Sequence, residues 1–208
     1  KENAQETTAF ETRYAALFDE RMHLEYKLNS LIEKQSQQKQ LEEELRQLEV
    51  IAQVDGETPI ELVPTCLGAH AMPKEFEGDR QGFLDMITRE LLPAVKERGL
   101  ARFVDVFCER GAFSCQESEM VLSAAKDLGF GLKIHAEEFS NLGGSRMAGT
   151  LGATSCDHLQ FLADEDLPAL KQGGTIPTVI PGTSFFLDMD VYAPARKLWD
   201  SGLPVALG

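Results

Sequence analysis

Three of the four histidines in this sequence follow short apolar runs, and these three could share one site. His70 comes after Leu-Gly-Ala, His135 after Leu-Lys-Ile, and His158 after Cys-Asp. A neutral imidazole at the end of a strand is a favoured ligand for zinc or divalent iron. His23 lies in a polar, helix-forming segment, where a surface histidine is the simpler interpretation. The pattern therefore predicts metal-dependent chemistry shared by three separated positions.

A carboxylate follows the middle histidine of these three by three residues. In the segment His135-Ala136-Glu137-Glu138, the side chain of Glu138 could reach the same pocket without binding the ion itself. There it could take a proton from a water and pass it to a leaving nitrogen. The alternative is an exposed acidic pair that caps the next element. Because His-x-x-Glu is a short motif, the sequence leaves both interpretations open.

Alternating strands and helices are predicted to position these groups. Strands joined by helices indicate right-handed βαβ units in a parallel sheet, where ligands meet the C-terminal ends of the strands. The pattern fits a doubly wound sheet as well as part of an eight-stranded barrel. The predicted strands are Glu61–Leu67, Phe103–Cys108, Leu132–His135, Ser155–His158, Thr175–Ile180 and Pro204–Leu207. The predicted helices between them are Asp79–Arg98, Glu117–Leu128, Arg146–Leu151, Glu165–Lys171 and Ala193–Ser201.

The first part of the chain has a different character. All 17 glycines and all 9 prolines lie after residue 55, and the preceding stretch is rich in good helix formers. Two leucine triplets share the spacing of an apolar seam, out of register with each other: Leu24, Leu28 and Leu31, then Leu41, Leu45 and Leu48. We expect one or two amphipathic helices packed on a neighbour, with a dimerising coiled coil as the alternative.

Composition excludes several classes of protein. The net charge of −14 and the pI near 4.7 argue against binding to nucleic acid. The longest apolar runs are a few residues long and no signal sequence is visible, so we expect no membrane segment and a cytoplasmic location. The cysteines lack Cys-x-x-Cys spacing and are expected to be reduced, buried thiols: Cys66, Cys108, Cys115 and Cys156.

Six segments taken together resemble imidazolonepropionases, metal-dependent amidohydrolases of histidine breakdown. They follow in the order of that family: Val63–Pro73, Asp105–Phe113, Lys133–Gly144, Asp157–Leu159, Ile180–Phe186 and Tyr192–Arg196. The resemblance implies a distorted (β/α)8 barrel, of which the six strands would be the third to the eighth. The expected fold class is thus α/β, a partial TIM-like barrel at 41–208 with a helical extension at 1–40.

The resemblance also implies roles for individual residues. One metal ion per subunit, Zn²⁺ or Fe²⁺/Fe³⁺, would be bound in part by His135. Glu138 matches the general base and proton shuttle, and His158 matches the histidine that orients water or stabilises the oxyanion. His70 matches the histidine that contacts the imidazolone ring, while Glu109 is a candidate for a supporting role.

The implied reaction opens the ring of 4-imidazolone-5-propanoate, a small-molecule partner, to N-formimidoyl-glutamate. The family's remaining metal ligands come from a His-x-His and an Asp-Phe-Asn-Pro segment, and neither occurs in this sequence. We therefore expect this chain alone to retain metal weakly. An amidohydrolase acting on another cyclic amide or a guanine-like ring is one alternative, and a non-catalytic scaffold is another. An incomplete barrel exposes sheet edges, which leaves homodimer formation open.

Overall fold

The computed structural model describes residues 2–208, with side chains for residues 13–32 and 34–208. Packing divides the chain into two compact units, Lys1–Gln40 and Leu41–Gly208. The second unit contains the sheet and its covering helices. Within the described residues, no helix combines the length and the apolar character that crossing a membrane requires.

The N-terminal segment forms one uninterrupted helix, α1 (Glu2–Asp55). The helix is continuous because no glycine or proline occurs before Gly56. At its last residue, the carboxylate of Asp55 accepts a hydrogen bond from the N–H of Leu62 at 2.8 Å. The two leucine triplets differ in environment. More than half of each side chain is exposed in the first triplet, whereas the second is buried in the core of the second unit. A single helix therefore carries both seams.

Six parallel strands lie side by side in the order in which they occur along the chain. They are β1 (Thr65–Ala69), β2 (Phe103–Cys108), β3 (Gly131–Ala136), β4 (Ser155–His158), β5 (Ile176–Val179) and β6 (Ala206–Leu207). A doubly wound sheet would reverse its strand order at a switch point, and this sheet does not. Consecutive order is that of an arc of a (β/α)8 barrel, so the predicted partial barrel is confirmed and the open sheet is excluded.

The first strand was predicted too early in the chain. The structure begins it at Thr65, whereas the apolar pattern indicated Glu61–Leu67. Pro64 explains the shift, because proline has no N–H to donate to a ladder of hydrogen bonds. Its carbonyl still accepts the Arg102 N–H at 3.0 Å, which marks the entry to the sheet. The other five strands lie within one or two residues of their predicted limits.

Helices cover the sheet between successive strands. They are α2 (Arg80–Met86), α3 (Leu92–Arg98), α4 (Cys115–Asp127), α5 (Gly144–Leu151), α6 (Leu167–Gly173), α7 (Pro181–Phe186) and α8 (Ala195–Asp200). A π-helical turn at Ile87–Leu91 joins α2 to α3, so the predicted helix Asp79–Arg98 is continuous but widened just before Pro93. Helix α7 was not predicted, since Pro181-Gly182 is typical of a turn.

The core lies between the strands and these helices. Its largest fully buried side chains include three phenylalanines, Phe76, Phe83 and Phe113. The ring centroid of Phe83 lies 4.9 Å from that of Phe76 and 6.1 Å from that of Phe113. The four cysteines are free, as predicted, but the expected burial holds for three of them and not for Cys115, which is half-buried. Packing of this core holds the strands in position, and the C-terminal ends of these strands carry a cluster of polar residues.

Candidate active site

The three histidines meet at the C-terminal edge of the sheet. His70 directly follows β1, His135 lies near the end of β3, and His158 is the last residue of β4. The ring centroids of His70 and His135 are 4.9 Å apart, and those of His135 and His158 are 5.2 Å apart. The parallel register pairs His135 with Asp157, and His158 follows one residue later with a positive φ of 81°.

A buried aspartate, Asp105 in β2, joins two of these histidines. Its Oδ1 lies 2.9 Å from His135 Nδ1 and 3.4 Å from His70 Nε2, and only 1% of the residue is exposed. Burial alone would raise the pKa of Asp105, but contacts with His135 and His70 outweigh it and bring the pKa to about 2. The carboxylate is therefore ionised at neutral pH and can only accept, so His135 Nδ1 carries the proton. Burial alone would lower the pKa of His135, but the hydrogen bond and charge of Asp105 outweigh it and raise the pKa.

Sequence reasoning missed Asp105 as a site residue. It appeared only as part of a family-like segment, although one signal was available. Asp105 is the single charged residue within the apolar run Phe-Val-Asp-Val-Phe-Cys of β2. A lone carboxylate on a strand buried by neighbours on both sides needs a partner, and histidines on the two flanking strands supply it.

Glu138 lies directly beside His158. Its Oε1 is 3.6 Å from His158 Nδ1, and both residues are 6% exposed. Burial raises the pKa of Glu138, and burial together with the nearby charge of His135 lowers the pKa of His158 to about 4. At neutral pH the imidazole of His158 is uncharged. A buried carboxyl of raised pKa next to a neutral imidazole is a pair suited to proton transfer.

The acidic pair Glu137-Glu138 is not exposed. Glu137 is fully buried and accepts the Ser145 N–H at the start of α5 with both oxygens, at 3.2 and 3.0 Å. Desolvation raises its pKa to about 7. The alternative interpretation was an exposed acidic pair that caps the next element. Glu137 does cap α5, but neither Glu137 nor Glu138 is exposed.

Glu109 fixes the loop that follows Glu138. Its buried carboxylate accepts the N–H groups of Arg110, Phe139 and Ser140 at 2.8, 2.9 and 3.1 Å, and also the Ser140 hydroxyl. Burial opposes ionisation of this carboxyl, but these hydrogen bonds hold its pKa below the usual range. One carboxylate at the end of β2 thus fixes the backbone just beyond Glu138.

Backbone conformation at this edge is unusual. Glu137, His158 and Leu159 have positive φ angles of 54°, 81° and 67°. Non-glycine residues rarely adopt the left-handed region, and where they do the surrounding structure must hold them there. Strain of this kind concentrates at functional sites, in agreement with the clustering of titratable groups here.

The donor set at this edge fits a divalent transition metal. His70, Asp105 and His135 each offer a ligand atom, and these atoms lie within 4.8 Å of one another. Among the side chains that the structure describes, His70 Nε2 and His158 Nδ1 are buried atoms without a hydrogen-bond partner. Imidazole and carboxylate groups together suit zinc or iron. The predicted residues His70, His135, Glu138 and His158 are thus brought together, while their individual roles stay predictions.

Comparison with curated proteins finds imidazolonepropionases among the most similar relatives. The chain is 48% identical over 166 residues to the imidazolonepropionase of Alkaliphilus metalliredigens (strain QYMF), covering 80% of this chain and 39% of that protein. The Bacillus cytotoxicus imidazolonepropionase is 49% identical over 166 residues, with the same coverage. This chain is homologous to part of the imidazolonepropionases. It spans about two fifths of the length of these relatives, and no family model matches it.

Solved structures support the barrel. A guanine deaminase from C. acetobutylicum with bound guanine superposes with a TM-score of 0.61 at 12% identity, over 81% of this chain and 43% of that chain. An adenosine deaminase from Xanthomonas campestris with bound Zn superposes with a TM-score of 0.54 at 15% identity, over 77% and 39%. At such low identity these matches establish the fold alone.

Proposed function

We propose that this chain supplies part of the catalytic barrel of an imidazolonepropionase, which hydrolyses 4-imidazolone-5-propanoate to N-formimidoyl-glutamate. The observation that carries the proposal is the convergence of His70, His135, Glu138 and His158 at one edge of the sheet. Identity of 44–49% to curated imidazolonepropionases favours this substrate over the guanine-like ring, whose support is a fold match at 12% identity.

His135 would hold the metal ion, Zn²⁺ or Fe²⁺/Fe³⁺, together with ligands from other segments of the barrel. When bound, such an ion supplies Lewis-acid chemistry, polarising a carbonyl and making a nearby water more acidic. The uncharged ring of His158, beside this position, can orient the water by accepting its proton in a hydrogen bond.

Glu138 would move the proton. Its pKa is raised by burial, which brings a carboxylate closer to the basicity that proton abstraction at neutral pH requires. Once protonated, Glu138 is the donor to the ring nitrogen as the C–N bond breaks. His70, whose ring centroid lies 4.9 Å from that of His135, would contact the imidazolone ring. Location in the cytoplasm and assembly into a homodimer belong to this proposal as expectations.

A segment-exchange enzyme tests the proposal directly. In it, the 166-residue segment of the Alkaliphilus enzyme is replaced by the matching part of this chain. We expect the purified hybrid to form N-formimidoyl-glutamate from 4-imidazolone-5-propanoate and to leave guanine unchanged, as measured by mass spectrometry. Turnover of guanine instead, or no turnover by a folded, metal-loaded hybrid, would contradict the proposal.

A further inference from the structure

We propose that Asp105 is a positioning residue that serves two histidines at once, presenting His135 Nε2 to the metal and His70 Nδ1 to the substrate. The inference rests on the proposed function and deepens it, because it assigns how one carboxylate orients both a metal ligand and a substrate contact. Nothing in the family-like motifs alone distinguishes this role from that of a metal ligand.

The distance to His135 indicates a hydrogen bond. Asp105 Oδ1 and His135 Nδ1 are 2.9 Å apart, the usual separation for N–H···O bonds. An aspartate is ordinarily ionised well below the pH at which imidazole loses its proton, so the carboxylate accepts and Nδ1 donates. This fixes the tautomer of His135 and leaves the Nε2 lone pair for the ion. Carboxylate–histidine–metal arrangements of this kind raise ligand basicity and fix ring orientation.

The second histidine faces the same oxygen. His70 Nε2 lies 3.4 Å from Asp105 Oδ1, and within the part of the chain whose side chains are described it is buried without a hydrogen-bond partner. A shift of a few tenths of an ångström makes it a donor to that carboxylate. With Nε2 engaged there, Nδ1 is the nitrogen of His70 left for the substrate. Burial of Asp105 between β1 and β3 holds the carboxylate between the two rings.

A competing arrangement would place the ion among all three groups, with His135 bound through Nδ1 and Asp105 as a direct ligand. Ligand atoms of His70, Asp105 and His135 are close enough for either arrangement. The two differ in which nitrogen of His135 carries the proton before metal is added and which one binds the metal afterwards. In the proposed arrangement these are Nδ1 and then Nε2, and in the competing arrangement they are Nε2 and then Nδ1.

Nitrogen NMR of the histidine rings distinguishes the two arrangements. The chain has four histidines, so ¹⁵N-histidine labelling with His→Gln variants assigns each ring. We expect His135 to be the Nδ1–H tautomer without metal, and added Zn²⁺ to shift the Nε2 signal. An Nε2–H tautomer, or a Zn²⁺-induced shift at Nδ1, overturns the proposal. Neither result depends on imidazolone hydrolysis, so failure of the proposed function is seen separately.

Variants add a second measurement. Asp105→Ala should abolish the preference for Nδ1–H in His135 and weaken Zn²⁺ binding by about 10–100-fold. Asp105→Asn keeps an acceptor and should preserve the tautomer. Asp166→Asn is the matched control, since Asp166 is equally buried but pairs with Arg146 at 2.7 Å. Circular dichroism checks that each variant is folded. A tautomer of His135 that is unchanged in folded Asp105→Ala would also overturn the proposal.

Discussion

His158 Nδ1 lies 3.6 Å from Glu138 Oε1, close enough for the two side chains to share one reacting water or substrate atom. Each belongs to a segment with left-handed backbone, at Glu137 and at His158 itself. The pair therefore results from the loop that follows β3 and from the left-handed backbone at His158, the last residue of β4. Their proximity links the fold to the proposed proton transfer.

Replacing Glu138 tests that proton transfer. Glu138→Gln in the segment-exchange enzyme keeps size and hydrogen bonding but removes the proton acceptor, so kcat should fall by ~10²–10⁴-fold with metal content unchanged. Steady-state kinetics and metal analysis measure the two quantities. Glu165→Gln, at an exposed position outside the site, is the control and should behave as wild type. If Glu138→Gln loses the metal and regains activity when metal is supplied in excess, Glu138 is a ligand.

Removing the Glu109 carboxylate should loosen the loop after Glu138. Glu109→Gln loses the charge that binds the amides of Phe139 and Ser140, and we expect faster hydrogen–deuterium exchange at both. Ser140→Ala removes only the hydroxyl contact and should leave exchange at Phe139 nearly unchanged. Equal exchange in Glu109→Gln and wild type would show that the loop is held by other contacts.

Acid should remove the contribution of Glu117 to stability. Arg80 donates two hydrogen bonds of 2.8 Å to the Glu117 carboxylate, and Ser114 forms a capping box with it. These contacts, with Arg80 the larger cause, lower the pKa of Glu117 to about 2. Because this value lies below the unfolded-state pKa of about 4.3, the stabilisation is complete above that pKa and is lost as pH falls through 2. Urea unfolding of wild type and Glu117→Gln should differ most near pH 6 and progressively less below pH 4. A difference that is independent of pH contradicts the assignment.

Close contact between α5 and α6 should make Gly149 intolerant of a side chain. A Cβ at Gly149 would overlap the backbone of Ala169 and lie 2.6 Å from the Leu170 nitrogen. Overpacking costs about 1–3 kcal/mol, more than a helix gains from alanine, so Gly149→Ala should lower the free energy of unfolding. Gly182→Ala in α7 is the control, because its Cβ would meet no atom within 4 Å. Equal stability of the two variants in urea would show that the helices can separate freely.

Local patterns in the sequence predict the strands, the helices between them and the edge where most of the site lies, whereas the choice of a barrel over a doubly wound sheet came from the family resemblance. Apolar runs predicted five of the six strands to within one or two residues of their observed limits. Histidines at the predicted strand ends indicated the edge of the sheet where His70, His135 and His158 meet. Asp105 was missed because its role depends on rings from two other strands, which no local pattern reveals. The burial of Glu137 and Glu138 likewise depends on the packing of α5 against the sheet.

Locating the metal in zinc-loaded crystals of the segment-exchange enzyme by anomalous diffraction tests the central claim most directly. We predict one zinc ion at about 2.0–2.1 Å from His135 Nε2, with Asp105 on the opposite nitrogen of that ring and Glu138 outside the coordination sphere. His135→Ala should remove this anomalous peak together with activity. A zinc ion bound elsewhere in an active enzyme, or a peak that persists in His135→Ala, would contradict the account.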